Sequence, residues 1–84
     1  MSAAVRFQLV TRAGCELCEE MLAELQHFCS GRAASIELLD VDSDPALSTR
    51  YGHRVPVLLM DGEPVCHARF DAAELERLLR SSRP

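Results

Sequence analysis

Hydrophobic and polar residues alternate near the start of the chain, and this pattern predicts a β-strand from Val5 to Thr11. Val5, Phe7 and Leu9 fall on one face of the strand, and Val10 falls on the other. Hydrophobic side chains on both faces are typical of a strand inside a sheet that is covered on both sides. We therefore expect this strand to be central.

The hydrophobic period then lengthens to that of an α-helix, which begins at Cys15 or Leu17 and continues to about Cys29. Gly31 follows as a residue that ends helices. The apolar stripe predicted for this helix consists of Leu17, Met21, Leu22, Leu25 and Phe28.

Two shorter elements follow the first helix. A second strand is predicted from Ala34 to Asp42, centred on Ile36 and Leu38. A short helix then lies between Asp44, which caps its N-terminus, and Gly52, which ends it.

The last part of the chain predicts a β-hairpin and a final helix. The hairpin strands are Val57–Met60 and Glu63–His67, and the dipeptide Asp61-Gly62 between them suits a type I′ turn. Asp71 is the predicted cap of the final helix, with Glu74 three residues later as in a capping box. The apolar face of this helix consists of Leu75, Leu78 and Leu79.

The order of these elements, β-α-β-α-β-β-α, predicts the fold class. The first β-α-β unit requires two parallel strands joined by a right-handed crossover, and the hairpin adds two antiparallel strands. We therefore expect an α/β fold with one four-stranded mixed β-sheet flanked by three helices. At 84 residues, the chain is predicted to form a single domain over residues 1–84.

Composition and charge exclude several classes of function. The chain has 9 basic and 13 acidic residues, a net charge of −4, and 5% aromatic residues. It therefore lacks the basic surface and the stacking side chains of a nucleic-acid-binding protein. No apolar run approaches the roughly 20 residues that span a bilayer, so no membrane association is expected. Because no secretory signal is visible, the expected location is the cytoplasm. We also expect the protein to be a monomer.

Cys15 and Cys18 are separated by two residues at the junction of the first strand and the first helix. Cys15 would lie at the helix N-terminus, where unpaired N–H groups favour a thiolate, and Cys18 would be more sheltered. This arrangement favours a redox-active dithiol, with metal ligands and unreactive thiols as the alternatives. We predict no metal site, because Cys66 and His67 are neighbours on a strand and point to opposite faces.

The dipeptide Val55-Pro56 opens the first strand of the hairpin. A proline cannot donate to the hydrogen bonds of a sheet, so the start of a strand is a suitable position for it. A trans peptide bond is the ordinary form. A cis bond would turn the Val55 backbone toward the sulfurs and leave it free to pair with an extended substrate.

The CxxC after the first strand, the Val-Pro before the third strand, the hairpin and the final helix together resemble the thioredoxin superfamily. The short chain is most similar to glutaredoxins, and the stretch DSDPALSTRYGHRVPVLLMDGEPV resembles the glutaredoxin-like proteins of bacteria. The resemblance covers about residues 4 to 80 and implies a thioredoxin/glutaredoxin-like fold.

The resemblance also implies an activity, that of a thiol–disulfide oxidoreductase. Cys15 matches the attacking cysteine and Cys18 the resolving cysteine. The expected substrate is a protein disulfide or a glutathione mixed disulfide. No bound cofactor is expected, and electrons would come from glutathione or a thioredoxin reductase. The alternative is a non-catalytic domain that binds peptides, acts as an adaptor or senses the redox state.

Five further residues are predicted to contact the substrate. Pro56 matches the family's cis-proline, and Val55 matches the residue whose backbone holds the substrate. Arg12 matches a basic residue before the motif, and Asp71 lies near an acidic residue that holds the amino end of glutathione. Arg54, which stands where glutaredoxins usually have a small hydroxyl residue, is a candidate contact for a substrate carboxylate.

Two other stretches differ from the usual glutaredoxin pattern. Glu16 and Leu17 stand between the cysteines in place of a proline and an aromatic residue. The sequence HARFD, residues 67–71, replaces the Gly-Gly stretch that lets glutathione approach the backbone.

Overall fold

The computed structural model describes residues 4–81, which form three α-helices, four β-strands and one 3₁₀ turn. The observed bounds are β1 Val5–Thr11, α1 Glu16–Cys29, β2 Ala34–Asp40, the 3₁₀ turn Val41–Ser43, α2 Pro45–Tyr51, β3 Val57–Met60, β4 Glu63–His67 and α3 Ala72–Ser81. The predicted order of strands and helices is therefore confirmed.

The four strands form one mixed sheet in the order β2-β1-β3-β4. β1 pairs with β2 in parallel and with β3 in antiparallel orientation, and β3 pairs with β4 as a hairpin. Asp61 and Gly62 in the hairpin turn have φ angles of 50° and 90°, as a type I′ turn requires. The predicted sheet and its central first strand are confirmed.

Each face of the sheet has its own hydrophobic core. On one face, Phe7 and Leu9 pack with Met21 and Leu25 of α1 and Leu75 of α3. The loop that follows α1 is also linked to α3 by an ion pair of 3.0 Å between Arg32 and Glu76.

The other face of the sheet is covered by α2 and the 3₁₀ turn. There, Val10 packs with Val41, Tyr51, Val57 and Leu59. Val10 therefore lies opposite Phe7 and Leu9, as the alternation in β1 predicts.

The second strand differs from its prediction in length and in burial. It ends at Asp40, because the Asp40 carboxylate accepts a hydrogen bond of 2.9 Å from the Asp42 N–H and turns the chain into the 3₁₀ turn. Leu38, one of the two residues on which the predicted strand is centred, is 53% exposed, since β2 is an edge strand. Leu17, the first residue of the predicted apolar stripe of α1, is also largely exposed, at 49%.

The two predicted helix caps are present. The Asp44 carboxylate accepts from the Ala46 N–H at 2.9 Å, and the Asp71 carboxylate accepts from the Glu74 N–H at 3.0 Å. The capping box at Asp71 is only half formed, because the Glu74 carboxylate binds Arg77 instead of accepting a hydrogen bond from the Asp71 N–H. Over residues 4–81, every helix is too short or too polar to cross a membrane.

Candidate active site

The two cysteines of the CxxC motif lie where β1 gives way to α1. Gly14 turns the chain with a φ of 75°, and Cys15 is the N-cap of the helix. The sulfurs of Cys15 and Cys18 form a disulfide, with their Cα atoms 5.2 Å apart. The Cys18 N–H donates a hydrogen bond of 3.1 Å to the Cys15 sulfur. The sequence therefore brings both sulfurs to one helix end within bonding distance.

The two cysteines differ in their access to solvent. Cys15 is partly exposed, whereas Cys18, inside the first turn of α1, is 3% exposed. In the reduced protein, a large partner could approach only the Cys15 sulfur, and the Cys18 sulfur would remain beside it. This asymmetry is what an attacking and a resolving thiol require.

Opposing charges surround the Cys15 sulfur. The N-terminus of α1 and the Cys18 N–H favour a thiolate at Cys15. Glu16, Glu19 and Glu20 on the same helix disfavour one, but all three side chains are exposed to solvent. Solvent and salt weaken the effect of exposed charges, whereas the hydrogen bond acts directly on the sulfur. Together these effects favour a moderately activated thiol at Cys15.

The segment before β3 lies at the same end of the sheet as the disulfide. Val57 pairs with Val10, so Pro56 lies beside the end of β1 from which the chain continues to Cys15. The Val55–Pro56 peptide bond is cis, Pro56 is fully buried and Val55 is half-buried. The Pro56 carbonyl accepts a hydrogen bond of 2.9 Å from the Ala68 N–H, which ties this segment to the end of β4.

Comparisons with known proteins agree with this geometry. The model of the glutaredoxin-like domain family (DUF836) matches residues 6–80. The chain belongs to this family. Uncharacterized proteins of Mycobacterium tuberculosis and Mycobacterium bovis are each 35% identical to the domain over 73 residues, which are 81% of this chain and 75% of the relative.

Solved structures show the same fold. A protein of Nitrosomonas europaea, 28% identical, superimposes with a TM-score of 0.83 and covers 93% of this chain and 94% of its own. Thioredoxin 1 of Thermosipho africanus, 20% identical, has a TM-score of 0.64 over 92% of this chain and 97% of its own. The glutaredoxin-like domain therefore has a thioredoxin fold, and its paired cysteines support a redox-type function.

Arg12 connects the loop before Cys15 to two other segments of the glutaredoxin-like domain. Its guanidinium donates to both carboxylate oxygens of Asp42, at 3.0 and 3.1 Å, and to the Gly52 carbonyl at 3.0 Å. Gly52 precedes the segment that leads to Pro56. Arg12 was predicted to contact the substrate, which stays a prediction. Its observed hydrogen bonds hold the loop before Cys15 to the 3₁₀ turn and to the end of α2.

With Asp42→Asn, the free energy of unfolding is expected to fall less steeply as the pH is lowered. The Arg12 guanidinium donates hydrogen bonds to the Asp42 carboxylate and lowers the pKa of Asp42. The pair therefore stabilises the folded state above the unfolded-state pKa of about 3.9, and this contribution is lost as the pH falls through the lower folded-state value. Urea unfolding between about pH 5 and pH 2 would give a shallower loss of stability for Asp42→Asn than for the wild type.

The control for this prediction is Glu63→Gln. It removes an exposed carboxylate that makes no ion pair among residues 4–81. The free energy of unfolding of this variant should therefore fall with decreasing pH as steeply as that of the wild type. Equal slopes for Asp42→Asn and the wild type would mean that the Arg12–Asp42 pair contributes nothing to stability.

Arg54 and Asp71, both predicted to contact the substrate, are exposed and lie on different segments. Within residues 4–81, the Arg54 side chain makes no hydrogen bond or ion pair. Asp71 caps α3 through its carboxylate, and its N–H donates to the Cys66 sulfur. Asp71 thus has a structural role whether or not it binds a substrate.

The two remaining thiols, Cys29 and Cys66, are partly buried and unbonded to each other. Burial raises the pKa of both thiols; Arg32 partly offsets this at Cys29, as does the Asp71 N–H at Cys66. At neutral pH, both cysteines are therefore present as thiolates less often than an ordinary exposed cysteine and react more slowly. Among the described residues, 4–81, no three His, Cys, Asp or Glu side chains are grouped so as to hold a metal ion.

Proposed function

We propose that the domain is a thiol–disulfide oxidoreductase in which Cys15 attacks and Cys18 resolves. The observation that carries this proposal is the pair of sulfurs at disulfide distance, one accessible and one buried. An unreactive structural disulfide would have no need for this difference in access. Glu16 and Leu17 stand between the cysteines in place of a proline and an aromatic residue, and the two sulfurs still lie at disulfide distance.

The proposed cycle transfers two electrons to the substrate. The Cys15 thiolate attacks one sulfur of the substrate disulfide, a mixed disulfide forms, and the other substrate sulfur leaves as a thiolate. The Cys18 thiolate then attacks the Cys15 sulfur, which releases the second substrate thiolate and leaves the Cys15–Cys18 disulfide. Two molecules of reduced glutathione, or the dithiol of a thioredoxin reductase, would restore the reduced state. We place this cycle in the cytoplasm, with the domain as a monomer.

The test is to equilibrate the domain in glutathione buffers of graded potential and to locate the remaining thiols by mass spectrometry. Cys15 and Cys18 are expected to convert together, within or near the span of roughly −180 to −270 mV covered by thioredoxin-like catalysts. If both stay reduced across this span, or are oxidised as unlinked single thiols, the proposal is wrong.

A second candidate is a non-catalytic domain that binds a peptide beside Val55 and Pro56. The half-buried Val55 next to the fully buried Pro56 favours it, because this segment offers a fixed backbone to a partner. Turnover of a model disulfide that disappears in Cys15→Ser supports the enzyme. Peptide binding without turnover, unchanged in Cys15→Ser, supports the adaptor.

A further inference from the structure

A groove of about 210 Å³ opens beside β4 on the face of the sheet that carries α2. Tyr51 and Val57, both buried, form its apolar base. Pro64, His67 and Arg54, which are exposed, form its sides.

The groove is open because α2 is too short to cover the whole sheet. α2 has only seven residues, Pro45–Tyr51. The buried core under it draws on β1, the 3₁₀ turn, α2 and β3, and includes no residue of β4. Over the described residues, the α2 face of β4 therefore remains available to a partner.

The groove lies at the same end of the sheet as the disulfide. His67 pairs with Val57, and Val57 pairs with Val10 near the end of β1. Arg54 is two residues before Pro56, and the hydrogen bond from Arg12 to Gly52 fixes that loop against the segment that leads to Cys15. A polypeptide whose cysteine reached Cys15 could thus extend its flanking residues into the groove.

The charged side chain that lines the groove is basic, with no acidic residue beside it in the lining. Within residues 4–81, the guanidinium groups of Arg12, Arg32 and Arg77 are paired with carboxylates, whereas no ion pair is formed by Arg6, Arg50, Arg54, Arg69 or Arg80. The Arg54 guanidinium has no such partner among residues 4–81, and no acidic residue lines the groove, where the imidazole of His67 is a second donor.

A separate groove, between α1 and residues 68–70, has negatively charged side chains along one side. Glu20 and Glu24 line it, facing Arg69. These two grooves therefore differ in the charge that they would accept: the groove beside β4 has a cation and no anion in its lining, whereas the groove at α1 has two carboxylates beside its arginine.

We propose that the groove beside β4 binds an acidic segment of the polypeptide substrate, with Arg54 as its principal contact for a carboxylate. This inference rests on the proposed function and names its substrate class. The net charge of −4 on the whole chain acts against an acidic partner. At 0.1 M salt, however, charges more than about 10 Å away are largely screened, so the local cation decides the preference. One exposed ion pair corresponds to roughly a two- to fivefold change in rate.

The test uses three octapeptides with one cysteine held in a neutral mixed disulfide with 2-thiopyridine. The cysteine is flanked by glutamates in the first peptide, by glutamines in the second and by lysines in the third. Each reaction converts the reduced domain and the mixed disulfide into the Cys15–Cys18 disulfide, the free peptide thiol and 2-thiopyridone, which is followed by its absorbance. Cys15→Ser supplies the background from the other thiols.

The wild type is expected to react with the glutamate peptide roughly two- to fivefold faster than with the glutamine peptide. Arg54→Glu should lower this ratio below one, because it replaces attraction by repulsion, and Arg54→Lys should largely preserve it. Arg80→Glu is the matched control: it makes the same change of net charge on an exposed residue of α3 and should leave the ratio as in the wild type.

The possible failures can be told apart. If no peptide releases thiopyridone above the Cys15→Ser background, the proposed oxidoreductase itself fails. If the wild type reacts with all three peptides at one rate, and Arg54→Glu does not change their ratios, the oxidoreductase stands and the acidic-substrate inference is overturned. A preference for the lysine peptide would also overturn it and would point to the groove lined by Glu20 and Glu24.

Discussion

Replacing Leu58 with alanine is expected to lower the free energy of unfolding by about 2–5 kcal/mol. Leu58 is 0% exposed and lies in β3, in the core shared with α1 and α3. Its truncation removes buried contacts and leaves a cavity that the packed sheet cannot fill. Small domains have total stabilities of about 5–15 kcal/mol, so a large part of the stability would be lost. Urea unfolding at neutral pH, followed by far-UV circular dichroism, measures the loss.

Leu38→Ala is the matched control for Leu58→Ala. It removes the same atoms from a strand of the same sheet, but Leu38 is 53% exposed. Its cost should be within about 1 kcal/mol, as is usual for substitutions outside the core. If the two variants lost equal stability, the described burial of Leu58 would be wrong.

If the proposed function holds, replacing Cys18 with serine is expected to make the domain a trap that keeps its substrate as a mixed disulfide. The Cys15 thiolate can still attack a disulfide, but the sulfur that would release the product is gone. With oxidised glutathione or a disulfide-bonded peptide, the variant should accumulate a stable mixed disulfide at Cys15, and multiple turnover by the dithiol route should stop. Intact-mass measurement and peptide mapping locate the adduct.

Three other variants show whether the trap is specific. Cys15→Ser should form no adduct at the motif, because the buried Cys18 cannot reach a large partner. Cys29→Ser and Cys66→Ser should turn over like the wild type, since both thiols are partly buried and lie outside the disulfide. Normal turnover by Cys18→Ser would show that Cys18 is not the resolving thiol.

The features that could be predicted from the sequence are those that depend on neighbouring residues. The alternation in β1, the Asp61-Gly62 turn and the caps at Asp44 and Asp71 all arise within a few residues of the chain. The CxxC position at a strand–helix junction is equally local. These signals are sufficient for the fold and for the two cysteines.

The features that were missed depend on contacts between distant segments. Leu38 looks like a core residue in the sequence, and its exposure follows only from the edge position of β2 in the sheet. The pairing of Arg12 with Asp42 joins residues 30 positions apart, and the chain carries no local signal for it. The groove at Arg54 likewise exists only because α2 stops short of β4.

The central position of β1 has a consequence for the synthesis of the protein. β1 is made before β3, but its second edge is covered only by β3, whose last residue Met60 pairs with Phe7. At roughly 5–20 residues per second, a ribosome needs several seconds to make the intervening chain. During that time the nascent protein has an open strand edge with Leu9 and Val10 beside it, which is a risk for aggregation. The domain can therefore complete its sheet only after β3 and β4 have left the ribosome.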